Sequence, residues 1–264
     1  MRIASFIANG SRGGSLLLSS AVQILSKSAP TISRRSTQGF SLVEIAIVLV
    51  IIGLLLGGIL RASELITGAR VRALVSQQDG IKAAYFGFEE RFRAVPGDYV
   101  RATSNIRGAT QNGNGNGRID ANAVPYEPIL AWEHLTQSGF LSPTLIYNAT
   151  ESAQTTLSNS YGVFLQIIYD GVYGSGTSAA PNPPRHNIKT GSQIPVHILA
   201  EADRKIDDGM PNSGGFQFSR YQGNAPAAPT DGTSAAPACT SATTVAGMWN
   251  ATNGSNNCGA ASLL

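Results

Sequence analysis

Charge is scarce in this chain, and so are the side chains that usually carry chemistry. Only 13% of its 264 residues are Asp, Glu, Lys or Arg, and it has three histidines, two cysteines and three methionines. His134, His186 and His197 lie far in sequence from Cys239 and Cys258, so no Cys₄ or Cys₂His₂ zinc site is spelled out. No G-x-S-x-G, H-E-x-x-H or P-loop pattern occurs, and no cysteine stands near a histidine. The histidines read as surface or sheet residues rather than bases, and the expectation is a protein that is not an enzyme. The net charge of +3 is too small for a nucleic-acid surface, and its basic excess is local. Arg2, Arg12, Lys27, Arg34 and Arg35 all precede the first acid, Glu44; beyond residue 39, 14 Lys and Arg stand against 16 Asp and Glu. No basic patch remains to bind DNA or RNA. Two cysteines pair in an oxidising compartment and stay free in a reducing one. With 29 Gly and 13 Pro, much of the chain must be loop.

What the chain does have is one long apolar run. In "RRSTQGFSLVEIAIVLVIIGLLLGGIL" (Arg34 to Leu60), the 21 residues from Phe40 form a helix of about 31 Å, the thickness of a bilayer's hydrocarbon core. Ile45 to Leu60 contains no charged or amide side chain. The arginines ahead of it predict a cytoplasmic N-terminus and an exported C-terminal region. "SLLLSSAVQIL" (Ser15 to Leu25) is a poorer apolar stretch, broken by serines and a glutamine. Glu44 is the anomaly, because an ionised carboxylate inside a span costs about 2.5–3.5 kcal/mol unless it snorkels or finds a partner.

The hexapeptide "GFSLVE", after a basic acid-free leader and before an unbroken span, resembles the processing site of type IV pilins and type II secretion pseudopilins. That resemblance implies a leader of residues 1–39, longer than the family's usual one, cut after Gly39 by a prepilin peptidase, with N-methylation of Phe40. It implies that Glu44 pairs, in a polymer, with the new Phe40 ammonium of an adjacent subunit. Two complementary charges in a low-dielectric setting favour one register of assembly. The implied partners are other pilin or pseudopilin subunits, the peptidase and an inner-membrane assembly platform. The implied location is the inner membrane, single-pass, and then a pilus or periplasmic pseudopilus. The 225 residues after Gly39 are many for a main repeating subunit, which favours a minor one. The rival readings are an anchored adhesin or receptor that never polymerises, and an anchored exported enzyme.

Past the span, Ala62, Leu65, Ile66, Ala69, Ala73, Ile81, Ala84, Tyr85, Phe88 and Phe92 recur at three- and four-residue steps. They predict that one helix runs from Phe40 to about Ala94, where "AVPGD" ends it. The expected organisation is residues 40–60 as span, 61–94 as an amphipathic continuation and 95–264 as a globular domain. Gly53, Gly57 and Gly58 would lower helix propensity by about 1 kcal/mol each relative to Ala. A short helix is expected over "PILAWEHLTQS" (Pro128 to Ser138), and strands over Tyr161 to Tyr169, Gln193 to Leu199 and Phe216 to Tyr221. Loops rich in Gly, Pro and Asn between them favour antiparallel pairing. The fold class is therefore α+β, a long helix packed on a small antiparallel sheet, as in the family resembled. "RFRAVPGD…NGNGNGRI…WEHLTQSGF…KIDDGMPNSG" is also similar to a recurrent subgroup of pilin-like proteins. The family's frequent C-terminal disulfide loop implies a Cys239–Cys258 bridge, worth about 3 kcal/mol for a loop of roughly 20 residues; two buried free thiols are the alternative.

Two stretches imitate calcium sites. "NGNGNGRID" (Asn112 to Asp120) has oxygen side chains at alternate positions, but Ala123 stands where a bidentate Glu belongs, so a tight Asn-Gly turn accounts for it better. In "DRKIDDGMPNSG", Asp203, Asp207 and Asp208 are weak calcium candidates, against a turn in which aspartates cap backbone amides. No cofactor is required by either.

Overall fold

The computed structural model describes residues 39–174, 182–232, 238–241, 247–252 and 254–264. The leader to residue 38, including Arg34 and Arg35, lies outside the described residues. The chain divides into two units, Met1–Ile51 and Ile52–Leu264. In the first unit the described part is Gly39, Phe40, Ser41 and the opening turns of helix α1, which runs Leu42–Phe92. An 18-residue window of α1 has a mean hydropathy of 2.8, and none of it is buried.

In the second unit α1 changes character. Val71, Leu74, Gln78, Ile81, Ala84, Tyr85 and Phe88 are buried at helical spacing. The stripe expected from Ala62 to Ala73 is corrected here. Ala62, Leu65, Ile66, Ala69 and Ala73 are exposed, and the chain packs instead on Val71 and Leu74. The reason is a polar member in the packed line: Gln78, fully buried, interrupts the apolar series that sequence spacing follows. From Ile81 onward the expected and observed faces coincide. The helix stops as Arg93 turns left-handed (φ 52°) and its N–H still reaches Glu89 O at 2.9 Å; Pro96 and Gly97 (φ 88°) then turn the chain. A Cβ on Gly97 would stand 2.8 Å from Glu127 O, so only glycine lets the turn lie against the next helix.

After the short α2 (Ala102–Asn105) comes α3 (Glu127–Gln137), close to the expected span, with Pro128 in its first turn. Trp132, Leu130 and Leu135 are buried as expected. The sheet has four strands, β1 (Gln166–Asp170), β2 (Arg185–Lys189), β3 (Phe216–Phe218) and β4 (Ala260–Leu263), ordered β1-β2-β4-β3 and antiparallel throughout. The α+β class stands.

Three elements differ from expectation. Gln193 to Leu199 is not a strand: Pro195 is the N-cap of α4 (Val196–Ile206). Val196, Leu199, Ala200 and Asp203 recur there at helical steps, so the alternation of Ile194, Val196 and Ile198 was a coincidence of two periods. β2 was missed because "RHNIK" carries two charges; Lys189 is buried in it and paired with Asp170 of β1. β4 was missed because its small residues, Ala260 and Ala261, have no β signal of their own. The first and third expected strands shorten to β1 and β3.

Two apolar clusters fill the unit. One joins Ile81, Tyr85 and Phe88 of α1 to Trp132 and Leu135 of α3 and to Ile167 and Ile188 of the sheet. The other joins Val71 and Leu74 to Val196 and Leu199 of α4, Phe216 and Phe218 of β3, and the Cys239 and Cys258 pair. Each fully buried large side chain contributes roughly 1.5–3 kcal/mol of transfer free energy.

Candidate functional site

Ser41 opens α1: its Oγ accepts the Val43 N–H at 3.3 Å, and Ile45 N–H reaches Ser41 O at 3.3 Å. Ser41 is thus an N-cap, and Ser-Leu-Val-Glu has the spacing of a capping box, with Glu44 at the third helical position. Sequence reading passed over Ser41, although the S-x-x-E pattern was there to find. Glu44 also puts negative charge in the first turn, where the helix dipole favours it. Gly39, Phe40 and Glu44 are all exposed, Phe40 at 78%. Gly53, Gly57 and Gly58 face open space, with nothing within 4 Å of an added Cβ.

The "PGD", "NGNGNGRID" and "WEHL" motifs, separate in sequence, converge on one network of buried carboxylates and backbone amides. Asp98 accepts the N–H groups of Gly115, Asn116 (3.1 Å) and Gly117 (2.7 Å). Glu127, fully buried, accepts Asn114 N–H at 3.2 Å and Asp120 N–H at 2.8 Å. Glu133, also fully buried, takes Thr110 N–H (3.0 Å), Thr110 Oγ1–H (2.8 Å) and Tyr147 N–H (2.8 Å). The Asn oxygens that imitate calcium ligands make local turns instead: Asn114 Oδ1 accepts Asn116 N–H at 3.0 Å, and Asn116 Oδ1 accepts Arg118 N–H at 2.8 Å. Charge-assisted hydrogen bonds fix this glycine-rich loop, together with one buried apolar anchor, Ile119.

His134 belongs to the same network. It is fully buried on α3, its Nδ1 accepting Gly97 N–H at 2.9 Å and its Nε2 facing Gln111 O at 3.2 Å. Burial pushes its pKa down to about 4, and it serves as a neutral bracket. The surface-or-sheet expectation therefore fails for His134 alone: His186 is on β2, and His197 is exposed on α4. Burial lowers His186 to about 4 as well.

Asp203, Asp207 and Asp208 do come together, with one carboxylate oxygen of each within 4.8 Å of the others. Five of their six oxygens, however, already hold donors. Trp249 Nε1–H donates to Asp203 Oδ2 at 2.5 Å. Asp207 accepts Asp208 N–H (2.8 Å), Gly215 N–H and Phe216 N–H (3.0 Å). Asp208 accepts Met210 N–H at 2.8 Å and Ser213 Oγ–H at 2.6 Å. Burial raises Asp203 to about 8, helped by its hydrogen bond to Asp207, so it is a neutral acid that donates to its neighbour. Burial works to raise Asp207, but the donors from Asp203 and three amides outweigh it and hold it low. This is the capping arrangement of a turn.

Trp249 also connects that turn to the Cys239–Cys258 bridge, whose Cα atoms are 5.6 Å apart and whose sulfurs are buried. Both ends are anchored: Cys258 N–H bonds to Ile194 O at 3.0 Å, and Cys239 N–H to Thr230 O at 2.8 Å. Residues 233–237, 242–246 and 253, in and beside the loop, lie outside the described residues.

Residues 34–60 match the family model of the prokaryotic N-terminal methylation motif, the signature of type IV pilins and pseudopilins. Neither a curated protein nor a solved structure matches the chain. The motif and the unburied apolar helix together fit inner-membrane anchoring.

Proposed function

We propose that the chain is a structural, non-catalytic subunit of a type IV pilus or a type II secretion pseudopilus. It is made as an inner-membrane prepilin, cut after Gly39 by a prepilin peptidase and N-methylated at Phe40. The observation that carries this reading is the motif match over residues 34–60. Exposure of Gly39 and Phe40 ahead of an unburied apolar helix supports it. Cleavage generates an ammonium at Phe40. Paired with Glu44 of the adjacent subunit, that charge sets the stagger between neighbours. Other subunits and the inner-membrane assembly platform are then the working partners.

Ser41 gives Glu44 a second conceivable role, as the acidic half of a capping box. Glu44→Gln separates the two, because Gln serves a capping box but cannot pair with an ammonium. Under the ion-pair reading, both Glu44→Gln and Glu44→Leu insert and are cleaved, yet fail to enter sheared filaments. The loss follows from an unpaired buried charge costing about 3–5 kcal/mol per interface. If Glu44→Gln assembles like wild type and only Glu44→Leu fails, capping is the role. If the wild type is cleaved but never leaves the membrane, the non-polymerising adhesin or receptor replaces the filament subunit.

A further inference from the structure

Four stretches of chain, distant in sequence, meet around a cavity of about 480 Å³ in the second unit. Tyr126 is the N-cap of α3, Glu151 lies in the loop between α3 and β1, Phe164 precedes β1, and Tyr221 follows β3. Ile129 and Gln166 are the buried residues of its wall. All three aromatic residues and Glu151 are half-buried, so the cavity is lined by rings and open to solvent.

Glu151 is the group without an explanation. Asp98, Glu127 and Glu133 each hold two or three backbone or hydroxyl donors. Among the described residues, Glu151 has a single donor, the Tyr221 hydroxyl, which stands 3.1 and 3.2 Å from its two oxygens. Among the described residues, no Lys or Arg pairs with it. Burial pushes its carboxyl up, the sign of a charge that has lost water without gaining a cation. Tyr126 is similarly half-satisfied: its oxygen accepts Gln166 Nε2–H at 3.0 Å, and its own proton is left to give. A charged acid among three aromatic rings is costly, since that environment favours the neutral form. It does suit an organic cation, which gains from the carboxylate and from the ring quadrupoles together.

We propose that this cavity is a binding site for an alkylammonium group, with Glu151 as its counter-ion and Tyr126, Phe164 and Tyr221 as its aromatic walls. The volume has room for such a group together with its alkyl chain. A lysine side chain presented by another protein and a free amine share this chemistry.

The test is titration of the full-length protein in maltoside micelles with hexylamine, Nα-acetyl-lysine methylamide and hexanol, followed by calorimetry and ligand-observed NMR. Hexylamine or the lysine derivative should bind with a Kd of about 1 mM or tighter, and hexanol should not. Glu151→Gln should weaken binding at least tenfold. Phe164→Leu, which keeps the apolar volume and so guards against a folding artefact, should weaken it roughly two- to thirtyfold, the range from an exposed to a desolvated cation–π contact. A preference for the lysine derivative identifies a protein ligand, and a preference for hexylamine a free amine. Equal binding of hexylamine and hexanol overturns the proposal, as does absence of binding by both amines at about 10 mM. So does unaltered affinity in a folded Glu151→Gln variant.

Discussion

Asp203→Asn should stabilise this protein, and by more the higher the pH. Asp203 is fully buried, and its carboxyl is raised from an ordinary 3.8 to about 8. Between these values the folded chain keeps a proton that the unfolded chain gives up, so stability falls as pH rises, by about 1.4 kcal/mol per pH unit. From pH 5 to pH 7 the loss amounts to about 3 kcal/mol. Asn titrates in neither state. Its oxygen can still accept Trp249 Nε1–H, and its amide can donate to Asp207 as the protonated acid does. His134 and His186, lowered to about 4, contribute the opposite slope between pH 4 and 6.5, because there the unfolded chain binds more protons. Both histidines are unchanged in the variant, so the difference between variant and wild type isolates Asp203. Thermal unfolding of the two proteins in maltoside micelles should give Tm curves that diverge by roughly 6–12 °C between pH 5 and 7. A constant difference across that range would refute a proton held at Asp203. Calcium provides the control. With most of the carboxylate oxygens engaged by donors of the protein itself, 1 mM calcium (roughly the affinity of a weak extracellular site) should leave the wild-type Tm unchanged. A rise that Asp203→Asn removes would establish a metal site instead.

Replacing both Cys239 and Cys258 by serine should cost about 3 kcal/mol in denaturant unfolding. Alkylation of both thiols in untreated protein would contradict the bridge. Asp98→Ala should lower stability by about 2–4 kcal/mol, since three amide donors lose a charged acceptor. Hydrogen exchange at Gly117 should accelerate more than at any α3 amide, and equal rates would speak against Asp98 as the fastener. Gly39→Leu should block removal of the leader in cells that express a prepilin peptidase, because the bulk keeps the backbone from close approach. Intact mass reads this directly, and a mature N-terminus other than Phe40 in the wild type would dismiss the processing site.

The parts of this protein legible in sequence are those whose signal is long or local. Fifty-one residues of α1 repeat their pattern many times, so its span was readable to within two residues even where its packed face was not. α3 announces itself through Pro128 and an apolar run. The illegible parts are set by partners distant in sequence. Lys189 looks like a surface residue until its Nζ meets the Asp170 carboxylate from the neighbouring strand. Ala260 and Ala261 become a strand only because β2 and β3 flank them. Ile194, Val196 and Ile198 fit a strand and a helix equally well over so short a window, and Pro195 decided for the helix. Of the site, the Gly39–Glu44 motif is contiguous and could be read. The fastening of the glycine-rich loop could not, since Asp98, Glu127, Glu133 and His134 acquire their roles only when three segments meet.

The strand that comes latest along the chain lies inside the sheet, not at its edge. β3 touches β2 nowhere, and β4 pairs with both. A chain emerging N-terminus first therefore has β1 and β2 available as a hairpin-like pair while β3 waits with its ladder unmade. Its partner also follows the segment clipped by the disulfide, Cys258 standing two residues before β4. Completion of the domain is thereby deferred until residues 260–263 arrive, and oxidation and sheet closure become nearly simultaneous late events. A factor that holds the unfinished chain has a well-defined cue for letting go: the moment when β4 slots between two strands already waiting for it.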